Sequence, residues 1–247
     1  MKHIKGIVLC EGDSDQVLLG TYLAAVKNMT FVKQIGDNTF AEERVIWYSD
    51  RFNQYIGIWN VGGHDFSPTI QKIMQSEFFE HKIESIVVIT DYDDESAEQE
   101  RADKIFKMIN ETVAMNNYEP WDSSKMNNQW IRISFTDSFS QQVDIKYCYL
   151  LVPYNSYGAL ETYMLNSLSE NDDDKKDAIL QVKEFVESFK SERYLRKRRE
   201  KIKAELSVSV AVFNPGKMFD TMKELINSVD WTQFDQTEKQ FGLLKEI

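Results

Sequence analysis

Residues 84–95 read ESIVVITDYDDE, and this stretch narrows the possible folds more than any other in the chain. Ile86, Val87, Val88 and Ile89 form a continuous β-branched run, the mark of a strand buried on both faces. Thr90 ends the run, and Asp91, Asp93, Asp94 and Glu95 follow where the strand stops. A helical pattern then covers Ser96 to Val113, with Ile105, Phe106, Met108 and Ile109 at its apolar positions. Carboxylates therefore collect at the carboxyl end of a central parallel strand, the place where open α/β sheets bind ligands. Crowding raises carboxylate pKa values unless cations intervene, and a hard divalent cation such as magnesium prefers oxygen ligands. An acidic helix start, favoured by the helix dipole, accounts for the same residues without a ligand.

The arrangement occurs earlier as well. Lys5 to Cys10 reads as a first strand, ended by Glu11 and Gly12. Asp13 and Ser14 are helix N-cap residue types, and Val17, Leu18, Leu19, Tyr22, Leu23 and Val26 supply an apolar helix face. Glu11 thus occupies the kind of position that Asp91 does, and Asp15 lies one helical turn further on. The same EGDSD run also suits a plain charged turn. Further strands are expected at Val45–Tyr48, Tyr55–Val61, Trp130–Phe135 and Val143–Val152, with polar stretches over 28–44, a loop or a short hairpin, and over 116–129, a loop. Gly62 and Gly63 follow the second of these strands; two glycines permit a positive φ and a close backbone approach. Their amides can face a phosphate, or the pair simply makes a tight turn. Pro68 suits the first turn of the next helix, and Ala159–Leu168 reads as a helix carrying Glu161 near its start.

After the polar break at Ser169–Lys176, a helical stripe of Ile179, Val182, Phe185, Val186 and Phe189 appears. The segment Arg193–Lys203 is the densest basic stretch, and on a helix Arg193, Arg196, Arg199 and Lys203 share one face. That face is either a solvated surface or a phosphate grip in which Arg196 and Arg199 contact nucleic acid. Such a grip has to be local, because the net charge of −11 opposes non-specific binding to a polyanion. A final amphipathic helix is expected over Met218–Val229. The chain of 247 residues suits one large domain or two small ones. No apolar run approaches the ~20 residues needed to cross a bilayer. Met1–Val8 passes straight into a strand without the features of a secretory leader, so a cytoplasmic protein without a membrane partner is expected. Cys10 and Cys148 fall inside strands and read as buried free thiols. The three histidines lack zinc-ligand spacing.

The ordered set of strand–Glu11-Gly12, Asp15 and strand–Asp91-x-Asp93 resembles the TOPRIM family. The core of that family carries a Glu after the first strand and an Asp-x-Asp after a later one. The E-G-x-x-D form at Glu11–Asp15 looks most like its OLD-family nuclease branch. So do Val61-Gly62-Gly63, Leu160-Glu161 and a late Lys203-Ala204 pair, for which Lys201 or Arg199 can stand in as the cation. The resemblance spans roughly the first 168 residues. It implies a TOPRIM-like, Rossmann-like α/β core over 1–168, built on a mostly parallel central sheet with flanking helices. A helical part over 169–247 packs on it or continues the same domain. It implies Mg²⁺ or Mn²⁺ held by Glu11, Asp91 and Asp93, with Asp15 and Glu161 completing a second metal. It also implies phosphodiester hydrolysis on DNA or RNA, with Glu11, Asp91, Asp93 and Lys203 as the catalytic set. Lys203 then neutralises charge building on phosphate. Full-length OLD nucleases carry an ATPase domain ahead of this core. The alternative is therefore a non-catalytic TOPRIM-like module acting with an ATPase or effector partner.

Overall fold

The strand expected at Lys5–Cys10 and the β-branched run at 86–89 become adjacent central strands. The computed structural model describes residues 3–33, 44–74, 83–113, 127–136, 142–190, 193–217 and 220–247. Its centre is a seven-stranded sheet. Four strands run parallel side by side: β4 (Gln54–Asn60), β1 (His3–Cys10), β5 (Ser85–Asp91) and β7 (Gln142–Val152). β3 (Val45–Ser49) pairs antiparallel with β4, β2 (Thr30–Val32) with β3, and β6 (Trp130–Thr136) with β7. Antiparallel strands thus close both margins of the parallel centre. All seven residues of β5 are buried, as a strand covered on both faces requires.

Alternation along the strands splits the core into two layers. Ile7, Leu9, Ile86 and Val88 face one side, where they meet α2 (Ser67–Met74) and α3 (Glu95–Val113) through Phe66, Ile70, Ala102, Ile105 and Ile109. Val8, Cys10, Val87 and Ile89 face the other. There they meet α1 (Asp13–Lys27) and α4 (Leu160–Leu168), together with Leu206, Ile226, Trp231, Phe241 and Leu244 from the last third of the chain. That last third contributes α5 (Asp173–Ser188), α6 (Arg198–Phe213), α7 (Met222–Ser228) and α8 (Asp235–Phe241). Both cysteines are buried and unpaired. No described helix is long and apolar enough to cross a membrane.

Two helical expectations need correcting. On α5, Ile179, Val182 and Val186 are buried, but Phe185 and Phe189 are 53% and 51% exposed. These two rings pack edge to face on each other, with centroids 5.0 Å apart. α5 packs mainly on α6, so only one side of it is covered. The basic stripe also breaks. The backbone amide of Lys197 donates to Glu200 Oε2 at 2.8 Å, an acidic cap that starts α6 at Arg198. Arg193 and Arg196 lie in the turn before it and share no helix face with Arg199 and Lys203. The polar stretch over 28–44 opens with β2, whose three residues pair with β3; residues 34–43, most of the loop expected over 116–129 and the start of the helix expected from Met218 lie outside the described residues.

Gly57 shows how tightly the sheet is covered. A Cβ built there would stand 2.8 Å from the Trp47 ring of the neighbouring strand. Gly57→Ala is expected to cost about 1–3 kcal/mol through overpacking, read as a lower urea midpoint with an unchanged slope. An unchanged midpoint would mean that Trp47 has room to move.

Candidate functional site

Parallel pairing brings the carboxyl ends of β1, β4, β5 and β7 to one edge of the sheet. Cys10 is level with Asn60, and Asp91 with Val152. Glu11 leaves β1 there, Asp91 ends β5, and Gly62 follows β4, as the strand-end reading expects. Glu161 arrives from α4, whose first amide, that of Leu160, donates to Asp91 Oδ1 at 3.0 Å. Asp15 is fixed by its own helix start, its Oδ2 accepting from the Gly12 amide at 3.0 Å.

Glu11, Asp91 and Glu161 are buried, and the charges are coupled. Burial pushes the Asp91 carboxyl up to about 8, helped by Glu11 and Asp15 and opposed by Arg199 and the Leu160 amide. Burial and the charges of Glu11 and Glu161 push Asp15 up to about 7. Cations stand among these acids. Arg199 Nη2 lies 3.5 Å from Asp91 Oδ2 and 3.8 Å from Glu11 Oε2. Burial works against its charge, yet Asp91 and Glu11 hold its pKa above the ordinary value. Lys203 Nζ is 3.9 Å from Glu161 Oε1. Among the described residues, no group of three or more His, Cys, Asp or Glu side chains is gathered to hold a metal ion.

Glu11 is held unevenly. Its Oε1 accepts from the Thr90 hydroxyl at 2.5 Å and the Asp91 amide at 3.1 Å. Its Oε2 is a buried atom without a hydrogen bond. His64 Nδ1 lies 2.8 Å from Oε2 but not in hydrogen-bond alignment.

Asp93 stands apart from this cluster. Its half-exposed side chain is 3.9 Å from Arg198 Nη1. It lines a cleft of about 700 Å³ with Asp94, Ser96, Gln99 and Tyr157. Gly62 has φ 76°, the conformation that glycine permits, but its amide already donates to Asn60 Oδ1 at 2.8 Å. It offers a phosphate no free N–H while that bond lasts. Arg196 is exposed in the turn before α6.

Sequence reasoning passed over Thr90, His64, Glu98 and Arg101. Arg101 Nη1 donates to Thr90 Oγ1 and stands 3.7 Å from Glu11 Oε1. Glu98 lies under it, buried, and burial pushes its carboxyl up to about 7 against the pull of Arg101. The available signal was an acid and an arginine three residues apart, among the apolar positions that face the sheet.

A family model matches residues 5–241. The chain belongs to the DUF3226 family, described as proteins of unknown function. The match covers every element of this DUF3226 member that contributes to the edge cluster, from β1 to α6. No curated protein matches. A solved structure of a hypothetical protein from Pyrococcus horikoshii OT3 is similar to 99% of this chain and 98% of its own, at 12% identity and a TM-score of 0.46.

Proposed function

We propose that this protein hydrolyses phosphodiester bonds in DNA or RNA with Mg²⁺ or Mn²⁺, on a TOPRIM-like core. The observation that carries the reading is Glu11 Oε2, a buried carboxylate oxygen without a hydrogen bond at the sheet edge. His64 Nδ1 and Arg199 Nη2 stand 2.8 and 3.8 Å from it, yet it accepts no hydrogen bond, and a hard cation takes such a carboxylate oxygen. Glu11, Asp91, Asp15 and Glu161 are not gathered around one point as they stand; they would have to draw together on a cation to give the all-oxygen donor set that Mg²⁺ and Mn²⁺ take. Asp93, two residues beyond Asp91 but apart from the cluster, would have to turn from its cleft to join them. When bound, the cation supplies Lewis-acid stabilisation of phosphate charge and acidifies an attacking water. The chain's own residues do the rest. Lys203 and Arg199 are exposed at the rim of the acidic cluster, where their charge neutralises a phosphate. Thr90 and the Asp91 amide keep Glu11 turned toward the edge.

One observation favours a second reading. Arg199 already lies between Glu11 and Asp91, so the acids are compensated within the chain. That suits a non-catalytic module docking on an ATPase or effector partner.

Incubation with Mn²⁺ and plasmid, single-stranded DNA or RNA separates the two. Cleavage is expected, and Glu11→Gln should lower its rate about 10²–10³-fold, the size of losing one charge-stabilising group. Folded protein that binds Mn²⁺ yet cuts none of these substrates would leave the docking module as the better account.

A further inference from the structure

The two oxygens of Glu11 have different surroundings, and a chain of side chains maintains the difference. Thr90 has one hydroxyl hydrogen, and it goes to Glu11 Oε1. The group that donates to Thr90 in turn is Arg101. Arg101 is itself fixed, its Nη1 lying 3.0 Å from each oxygen of Glu98, one turn back on α3. Glu98 is buried and also accepts from the Tyr149 hydroxyl of β7 at 2.8 Å. The series Tyr149–Glu98–Arg101–Thr90–Glu11 therefore runs from β7 through α3 to the ends of β5 and β1.

A buried ion pair between Glu98 and Arg101 needs no hydroxyl beyond it. Here the arginine is spent on Thr90, and Thr90 on one particular oxygen of Glu11. Donors crowd Oε1, while Oε2 is left without a hydrogen bond. Charge-assisted bonds of this kind are short and directional, so they set the rotation of the carboxylate as well as its place.

We propose that Thr90 and Arg101 are positioning residues that turn Glu11 to present a single oxygen, Oε2, to the ligand, with Glu98 and Tyr149 locking Arg101. This rests on the cation-binding reading above. Without the hydroxyl, Oε1 keeps only the Asp91 amide as a hydrogen-bond donor, and the rotation of the Glu11 carboxylate is held less firmly. Removing a group that orients a ligand in this way costs about 10–100-fold in metal affinity.

The test is Mn²⁺ affinity of the full chain, followed by the loss of the free-ion electron paramagnetic resonance signal and independent of any cleavage. Thr90→Val keeps the side-chain shape and removes the hydroxyl; it is expected to weaken Mn²⁺ binding about 10–100-fold. Thr90→Ser restores the hydroxyl and should bind as the wild type does. Equal affinity in Thr90→Val and wild type overturns the proposal, as does an equal loss in both Thr90 variants. Should Thr90→Val fail to fold, Tyr149→Phe loosens the far end of the series and is expected to weaken binding several-fold, and unchanged affinity there overturns it too. A wild type that binds no Mn²⁺ overturns the cation reading itself, and the positioning role with it.

Discussion

Metal-free Asp91→Asn is expected to melt about 2–12 °C above the wild type at pH 8.5, corresponding to roughly 1–3 kcal/mol for a chain of this size. At pH 5.5 the gap should be smaller, and below about pH 4 the two should nearly coincide. Asp91 is buried and its carboxyl is pushed up to about 8, whereas an unfolded chain returns it to about 3.9. Between those values the folded state binds more protons than the unfolded one, so stability falls as pH rises. The contribution is fully present below about pH 4 and is lost as pH climbs through about 8. Asp15, pushed up to about 7, adds a slope of the same sign. Asparagine keeps an oxygen for the Leu160 amide and carries no charge to bury. Its advantage therefore grows with pH. Mn²⁺ should invert the order, stabilising the wild type by linkage and the variant far less. A gap between the two proteins that stays constant from pH 5.5 to 8.5 would show that Asp91 is not the titrating group.

Trp231→Ala should lose about 3–5 kcal/mol, the usual cost of truncating a buried Trp, and lower the melting point by about 6–20 °C. Trp231 is 1% exposed. Its ring lies 6.2 Å from Tyr163 and 6.0 Å from Phe234, and its indole N–H donates to Ile226 O at 2.8 Å. Tyr163 in turn meets Phe241, and Phe241 meets Tyr22 of α1. These aromatic rings join the last third of the chain to the helices against the sheet. A single calorimetric transition, shifted as a whole, is the expected result. A second transition, with residues 169–247 melting ahead of the sheet, would show that they form a unit of their own. Trp231→Phe, which keeps most of the apolar area but loses the N–H donor, should fall between the two.

Six of the seven described strands and most helices were legible because their signals are local, whereas β2 is three residues long, too short to show a period. The runs at Lys5–Cys10 and Ile86–Ile89 hold β-branched and apolar residues on both faces, and all of them lie inside β1 and β5. The acids that follow, Glu11 and Asp91, sit at strand ends by chain order alone. Once the pairing is parallel, they share one edge. Asp15 and Glu161 join them because each lies in the first turn of a helix starting from that edge.

What was not legible depends on contacts between residues far apart in the chain. Thr90 and Glu11 are 79 positions apart, and Tyr149 and Glu98 are 51. No periodicity within one segment records which oxygen of Glu11 the Thr90 hydroxyl meets. The helix over the basic segment looked continuous because its charges recur at helical spacing, but the Glu200 cap on Lys197 starts it later. Phe185 and Phe189 fit an inward stripe by spacing alone, yet the sheet's far face is already filled by α1, α4 and the closing helices. Local patterning places acids at the ends of strands, since a strand's length and a helix's start are short-range properties. Partner choice among buried charges is settled by three-dimensional proximity in a low-dielectric interior, where each acid is either matched or protonated.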